Sequence, residues 1–399
     1  MSEKRRDSKN RILRAGESQR KDGRYAYKYI DALGKQQFIY AWKLVPTDKT
    51  PAGKREDLSL REKIKDVQKD LDDGIDVLGK KMTVCQLYEK QNKYNSNVRI
   101  TTIITGRRHL MQILQRDKLG TTSIDRVKMS DAKEWVLRMK EQGYAYSTIR
   151  NYKRSLNSAF HIAIQDDCIR KNPFDFDISS VLENDTTPKE ALDNAQKESL
   201  LEFLRTDKVY RKYYDEIIIL LDTGLRISEF CGLTDADIDF ENRVISINHQ
   251  LLKIGKGGYR IELPKTKNGT RQIPMTDRVV QSLNRVMKKR RKSVIANIDG
   301  YENFIFIGEQ GYPKIAHNYT YLFQRIVAKY SKFSEVPLPE VFTPHTLRHT
   351  FCTDMANAGM NPKALQYLMG HGNINMTLNY YAHVTYDSAK AEMERLSLI

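Results

Sequence analysis

The sequence lacks any apolar run long enough to span a lipid bilayer, which argues against a membrane-spanning helix. The charged start at residues 1–6 is not followed by the apolar core that a secretory signal requires. Mean hydropathy is low, at −0.61. We therefore expect the chain to act in the cytoplasm.

Cysteine is scarce, and the 4 residues are scattered: Cys85, Cys168, Cys231 and Cys352. Their spacing fits neither a disulfide framework nor a metal-binding motif. We expect small buried side chains in a reducing compartment.

Metal and nucleotide motifs are missing as well. His345 and His349 have the i, i+4 spacing of some zinc sites. However, no glutamate follows the first histidine, and Arg348 would repel a cation. We expect neither a metal nor another cofactor.

Positive charge is abundant. The formal net charge of +17 and the isoelectric point near 9.4 indicate a polyanionic partner, either nucleic acid or an acidic membrane surface. The 399 residues leave room for two or three domains, each with its own core.

Cationic side chains gather at predicted helix starts near the C-terminus. Thr343-Pro344 is a helix-opening signal, which places His345 and Arg348 on one face of the first turns. Free backbone N–H groups and a planar guanidinium fork suit that face to a phosphate. The sequence therefore predicts an anion site.

A second predicted helix follows the first. It opens at Asn361-Pro362 and ends at Gly370, so the ring of His371 is expected on a tight turn rather than in a core. Tyr381 follows ten residues later.

An upstream segment completes a set of ordered motifs. In sequence order the motifs are Gly224-Leu225-Arg226 with Glu229, His345-x-x-Arg348-His349, Gly370-His371, and Tyr381-Ala382-His383. Together they resemble the tyrosine recombinase (phage integrase) family, and most closely the integrases of Gram-positive conjugative transposons. Four motifs in order are far more specific than any one of them.

The resemblance implies a mainly α protein with small β elements (α+β) that excises and integrates a mobile element. DNA would be cleaved and rejoined through a 3′-phosphotyrosine and a Holliday junction, without metal or ATP. The implied partners are double-stranded DNA at core and arm sites, further copies of the chain in dimers and tetramers, and an excisionase or host DNA-bending protein.

The resemblance also assigns catalytic roles to particular residues. Arg226, Arg348, His345 and His371 would bind the scissile phosphate, and a hairpin lysine would protonate the leaving oxygen. The predicted lysine is Lys265, with Lys267 as the alternative. Lys267 is also expected to contact DNA.

Neighbouring residues leave some roles open. Tyr381 is favoured as the nucleophile because the family's tyrosine commonly stands two residues before a histidine, although chemistry does not separate it from Tyr380. Glu229 either orients the arginines or caps a helix. His349 is expected to pack or to support the site.

Residues 1–80 predict a small β-sheet followed by a helix over 59–71 that is capped by Ser59. The aromatic runs at 25–30 and 38–44 alternate as strands do. A face carrying Arg24, Lys28 and Lys43 is suited to a major groove. In the resembled integrases such a module binds arm-type DNA.

Residues 81–172 show the periodicity of helices, with Ser130 and Ser147 as predicted caps. The resemblance makes this region a core-binding domain. The cations predicted to contact DNA are Arg107, Arg108, Arg150, Lys153 and Arg154.

An interdomain linker is predicted at 173–190, and the catalytic domain at 191–399. A hairpin is expected between Tyr259–Leu263 and Thr270–Pro274 across Asn268-Gly269.

An apolar stripe at Tyr386, Ala389, Met393 and Leu396 indicates a tail helix, which in the family docks on a neighbouring protomer.

Other functions remain open. A chromosome-dimer resolving recombinase or a type IB topoisomerase would use the same chemistry, although the basic N-terminal module argues against the former. A noncatalytic DNA-binding protein with this fold and a metal nuclease are the alternatives from other classes.

Overall fold

The structure, a computed structural model of the chain, describes residues 5–31, 34–72, 79–95, 102–186, 190–255, 258–264, 267–381 and 393–394. The chain divides into two compact units, Met1–Thr187 and Pro188–Ile399. The predicted tail stripe at 386–396 lies outside the described residues, apart from Met393.

The first unit begins with an antiparallel sheet in the order β1 (Glu17–Gln19), β2 (Tyr25–Ile30) and β3 (Gln36–Ala41). Helix α1 (Leu60–Asp72) follows and packs on the sheet. Ser59 donates to Glu62 Oε2 from its backbone N (2.9 Å) and its hydroxyl (2.7 Å), so this helix start was predicted correctly. A small core that includes Tyr25, Leu44 and Leu60 joins the sheet to the helix.

The rest of the first unit is helical around a core of its own. Its helices are α2 (Val84–Tyr94), α3 (Arg108–Arg116), α4 (Lys118–Thr121), α5 (Met129–Glu141) and α6 (Tyr146–Gln165). Phe174, Ile178 and Leu182 also pack into this core. The packed region therefore extends to residue 182, inside the predicted linker.

Two predicted helix caps are wrong. α5 begins before Ser130, and Asp131 Oδ2 accepts from the backbone N of Lys128 at 2.8 Å instead. α6 begins before Ser147 and has no capping side chain. Tyr146 packs into the helical core, and this burial outweighs the weak local preference of a serine for the cap position.

The second unit combines helices with short strands. Its helices are α7 (Asn194–Thr206), α8 (Tyr214–Thr223), α9 (Ile227–Gly232), α10 (Asp277–Lys289), α11 (Ala316–Tyr330), α12 (Pro344–Asn357), α13 (Pro362–Met369) and α14 (Asn375–Leu378). The predicted starts at Thr343-Pro344 and Asn361-Pro362 are confirmed. Asn361 Oδ1 accepts from the backbone N of Lys363 at 2.8 Å.

The strands of this unit form three small sheets. Their order is β4 (Ile238–Asp239), β5 (Val244–Ile247) and β8 (Arg271–Pro274) in one sheet, β6 (Gln250–Ile254) with β7 (Gly258–Glu262) in another, and β9 (Asn297–Ile298) with β10 (Tyr301–Glu302) in the third. The mainly α fold with small β elements agrees with the predicted class.

The predicted hairpin is wrong. β7 pairs with β6, and β8 pairs with β5 in a register that sets Ile273 opposite Ile245. Both isoleucines are almost fully buried, and each contributes roughly 1.5–3 kcal/mol through burial. This outweighs the turn preference of Asn268-Gly269, which lies in a short 3₁₀ segment.

One large core, with members from Leu192 to Leu347, fills the second unit, and a smaller cluster involves α12 and α13. Cys168, Cys231 and Cys352 are buried as expected, whereas Cys85 is half-buried. Among the described residues, no helix is both long and apolar enough to cross a membrane.

Candidate active site

Two helices that end in glycine supply backbone acceptors to the site. α8 ends at Gly224 (φ +59°) and α13 at Gly370 (φ +60°), a left-handed conformation that glycine adopts without strain. A Cβ on Gly224 would lie 2.4 Å from Cδ1 of Phe351, so this contact also requires glycine.

Arg348 is buried, with 3% of its surface exposed. Nη1 donates to the Gly224 carbonyl at 2.6 Å, and Nη2 donates to the Met369 carbonyl. Burial, followed by the charge of Arg226, lowers the pKa of Arg348 to about 9. The group therefore remains charged at neutral pH, and it joins α12 to the ends of α8 and α13.

Arg226 precedes α9 and is half-exposed. Its Nη1 donates to Glu229 Oε1 at 2.7 Å, and Nη2 donates to the Gly370 carbonyl at 2.8 Å. Glu229 Oε2 also accepts from the backbone N of Arg226 at 3.1 Å. Glu229 therefore takes both predicted roles, since it caps the helix and orients the arginine.

Arg271 is a residue of this site that the sequence reasoning missed. Its side chain is fully buried and holds Glu229 in a two-point fork, with Nη1–Oε1 at 3.1 Å and Nη2–Oε2 at 2.8 Å. Burial alone would raise the pKa of Glu229, but Arg271 and Arg226 hold it down at about 2. Arg271 appeared in the sequence only as a strand residue, and no local signal set it apart.

Four successive carbonyls at the end of α13 each accept a side-chain hydrogen bond. The pairs are Leu368 with Arg271, Met369 with Arg348, Gly370 with Arg226, and His371 with Asn268. The C-terminal end of a helix carries partial negative charge, which favours guanidinium groups at this position. The helix end thus fixes three arginines side by side.

His371 follows the turn at Gly370 as predicted, but it is 5% exposed, so the expectation of a ring outside the core is wrong. Its Nδ1 lies 2.9 Å from Oγ1 of Thr377. Burial, then Arg348, Arg226 and other nearby charges, lowers the pKa of His371 to about 4. The ring is neutral at pH 7. His345 contributes to the same shift, but its side chain is exposed at the first turn of α12.

Tyr380 and Tyr381 both pack on the small cluster formed by α12 and α13. The hydroxyl of Tyr381 donates to the Met360 carbonyl at 2.5 Å. Tyr380 lies edge-on to His349, with ring centroids 4.8 Å apart. Burial raises the pKa of both tyrosines, and the charge of Arg348 opposes this rise for Tyr380 alone.

The structure describes only part of the two lysines that were predicted as the proton donor. Lys265 lies outside the described residues, and only the backbone of Lys267 is described, at the start of the 3₁₀ segment. Asn268 Nδ2 donates to the His371 carbonyl at 3.2 Å, which ties this loop to the histidine turn.

The predicted DNA-facing cations of the small sheet differ in exposure. Lys28 is exposed, and Arg24 is half-buried against Tyr40 and Trp42 while it pairs with Asp22 at 2.7 Å. Lys43 is 9% exposed and lies 2.5 Å from Glu56. The prediction of a surface role for Lys43 is wrong, because the loop before α1 covers and neutralises it.

The cations of the helical region that were predicted to contact DNA also differ in exposure. Arg108, Arg150 and Arg154 are exposed, and Arg107 donates to the Asn92 carbonyl at 3.1 Å. Lys153 donates to the Phe176 carbonyl and lies 4.6 Å from the centre of that ring. Lys153 therefore contacts its own domain, and its predicted contact with DNA stays a prediction.

Comparisons with known proteins cover the entire chain. Residues 190–388 match the "Phage integrase family", residues 83–181 match the "Phage integrase SAM-like domain", and residues 1–71 match the "DNA binding domain of tn916 integrase". The transposase from transposon Tn1545 of Streptococcus agalactiae is 62% identical over 100% of this chain and 98% of its own length.

Solved structures of the Tn1549 transposon integrase are similar to this chain. An arginine-to-lysine variant with circular intermediate DNA is 61% identical, covers 79% of this chain and 99% of its own, and has a TM-score of 0.76. A tyrosine-to-phenylalanine variant with transposon right end DNA is 60% identical to this chain. The match covers 79% of this chain and 100% of the variant's chain, with a TM-score of 0.75. The chain belongs to the phage integrase family, and it is a tyrosine recombinase of the conjugative-transposon type.

Proposed function

We propose that this recombinase excises and integrates its element by forming a covalent bond between a tyrosine and a DNA 3′-phosphate. The phenolate oxygen attacks phosphorus, the bond to the 5′ oxygen breaks, and the leaving 5′ oxygen takes a proton to become a free 5′ hydroxyl. Attack by another strand's 5′ hydroxyl reverses the step without ATP, and two such exchanges pass through a Holliday junction. The observation that carries this proposal is the convergence of Arg226, Arg348 and His371 on the end of α13.

The charges of the site suit this reaction. Three arginines (Arg226, Arg271 and Arg348) surround one carboxylate (Glu229), which leaves a surplus of two positive charges. A phosphodiester under attack by a phenolate develops two negative charges, and fixed donors stabilise them most effectively where water is excluded. Each guanidinium has five N–H groups, so Arg226 and Arg348 keep donors for the phosphate oxygens.

The proton for the leaving 5′ oxygen comes from Lys265 in this proposal, with Lys267 as the alternative. His345, exposed beside the arginines, and His371 contact the phosphate. No step needs a metal ion, so formation of the covalent adduct is expected to persist in EDTA.

The choice of nucleophile rests on two neighbouring residues. The spacing to His383 favours Tyr381 from the sequence, but its hydroxyl is occupied by the Met360 carbonyl. Tyr380 lies in the field of Arg348. In addition, the two substituted positions of the Tn1549 integrase are separated by the same number of residues as Arg226 and Tyr380. These observations support Tyr380 as the nucleophile.

The test compares Tyr380→Phe with Tyr381→Phe on a nicked suicide substrate that contains the ends of the element. We expect Tyr380→Phe to abolish the covalent protein–DNA adduct and Tyr381→Phe to retain it. The reverse result would restore Tyr381 as the nucleophile. Adduct formation by the double variant would contradict the entire proposal.

The other regions bind DNA away from the chemistry. The N-terminal sheet, through Lys28 and Arg24, contacts arm sites, and the exposed cations Arg108, Arg150 and Arg154 contact the core site. Dimers and tetramers assemble on DNA, and an excisionase or host bending protein directs the reaction. Cations and aromatic rings alternate on the sheet, which supports its assignment to arm-site DNA.

A further inference from the structure

Thr377 lies beside His371 and is fully buried in α14. Its hydroxyl oxygen is 2.9 Å from His371 Nδ1. In the described part of the chain, this ring nitrogen is the one partner found for the hydroxyl. The threonine backbone is also engaged, since its N donates to Ile374 O at 2.8 Å and its O accepts from Tyr380 N at 3.0 Å.

The direction of this hydrogen bond decides the tautomer of the histidine. A buried hydroxyl hydrogen without an acceptor costs about 1–3 kcal/mol, so the hydroxyl is expected to donate to Nδ1. Nδ1 is then an acceptor, and in a neutral ring the proton must reside on Nε2. The low pKa of His371 agrees with a ring that carries a single proton at neutral pH.

A phosphate can use only one of the two tautomers. Its oxygens accept hydrogen bonds and do not donate them, so a ring nitrogen that faces them must carry hydrogen. With the proton on Nδ1, the lone pair of Nε2 would face the phosphate and repel it.

We propose that Thr377 is a positioning residue whose hydroxyl holds His371 in the tautomer that donates from Nε2 to the scissile phosphate. This inference rests on the proposed function, in which His371 contacts that phosphate. Thr377 also joins the histidine to the tyrosine turn, because its carbonyl receives the Tyr380 amide while its hydroxyl holds the ring.

The first measurement reads the tautomer without any reaction. ¹⁵N-histidine NMR of the full-length protein at pH 7.5, with His371→Gln to identify the signal, is expected to show a protonated Nε2 and an unprotonated Nδ1. Thr377→Val keeps the shape but removes the hydroxyl, so both tautomers should then appear. A wild-type spectrum with the proton on Nδ1 would overturn the inference without requiring any Thr377 variant.

The second measurement is the single-turnover rate of adduct formation on the suicide substrate. Thr377→Val is expected to lower the rate about tenfold, which corresponds to roughly 1.4 kcal/mol. Thr377→Ser keeps the hydroxyl and should remain within about threefold of wild type. Noncovalent DNA binding should be the same in all three proteins.

A double-variant cycle separates positioning from simple structural support. In a His371→Gln background, Thr377→Val should have no further effect on the rate, because its target is gone. An equal loss in both backgrounds, or a Thr377→Val rate equal to wild type, would overturn the inference. If the wild type formed no adduct, the proposed function would fail, whereas the NMR spectra would still decide whether Thr377 sets the tautomer.

Discussion

Arg271 supports the site although its buried guanidinium is directed at protein groups. It holds both oxygens of Glu229 and also donates from Nε to the Leu368 carbonyl at 2.6 Å. Removal of one partner from a buried ion pair leaves an uncompensated charge. Arg271→Met is therefore expected to lower the free energy of unfolding by about 3–5 kcal/mol in chemical denaturation.

The matched control is Arg243→Met. The side chains of Arg243 and Asp277 are 57% and 76% exposed, so loss of this pair should cost at most about 1 kcal/mol. The double variant Arg271→Met with Glu229→Gln should lose less than the sum of its two single changes. If Arg271→Met and Arg243→Met lowered the free energy of unfolding equally, the buried ion-pair network would not be stabilising the fold.

His371 predicts a pH dependence of stability. Its pKa falls from 6.5 when unfolded to about 4 when folded, so between these values only the unfolded state binds the proton. The contribution of the neutral His371 ring to the free energy of unfolding is therefore fully present above about pH 6.5. It is lost as the pH falls toward 4. The shift corresponds to roughly 3 kcal/mol at most.

The measurement is denaturation of wild type and His371→Gln at pH 7.5 and pH 5. Wild type should lose more stability than the variant between the two pH values, because glutamine has no proton to bind. Parallel losses would show that His371 is not held neutral by burial and the neighbouring arginines.

At the scale of elements, the end of α13 is the junction of the site. Gly370 has a φ of +60°, and a Cβ there would lie 3.0 Å from Arg271 Nη1 and 3.2 Å from Arg226 Nη1. Gly370→Ala should therefore shift the arginines by a few tenths of an ångström and lower the single-turnover adduct rate about tenfold. Gly359→Ala is the control, since Gly359 also has a positive φ (+76°) but open space around it.

Both alanine variants should lose roughly 1–2 kcal/mol of stability from left-handed strain. Only the change at Gly370 should affect the adduct rate. Loss of the rate in both variants would assign the effect to backbone strain rather than to crowding of the arginines.

Local signals predicted some elements and failed for others. Asn361-Pro362 and Gly370 act within one turn of chain, so they could be read directly from the sequence. The pairing of β8 with β5 depends on burial of Ile273 across a gap of more than twenty residues, which no local dipeptide encodes. For the same reason Arg271 was missed, because its partner Glu229 is joined to it only by the fold.

At the scale of the molecule, the cores show which regions can be separated. The N-terminal sheet and α1 have their own small core, and the helical region has another. A cut after residue 81 removes no member of the helical core and keeps the hydrogen bond from the backbone N of Ile124 to the Met82 carbonyl, at 2.9 Å. The remaining chain is expected to fold.

Deletion of residues 1–81 therefore separates distal binding from chemistry. We expect the truncated protein to form adducts on core-site DNA at a rate within a fewfold of wild type, because Arg226, Arg348 and His371 lie in the second unit. Binding to the distal repeats of the element, measured by electrophoretic mobility shift, should be lost. Lys28→Ala in the full-length chain should weaken the binding to the distal repeats, because Lys28 is exposed on the sheet. Lys43→Ala should lower stability more than DNA affinity, because Lys43 is covered. Unchanged distal binding by the truncated protein would mean that the positive surface of the helical region, rather than the sheet, reads those repeats.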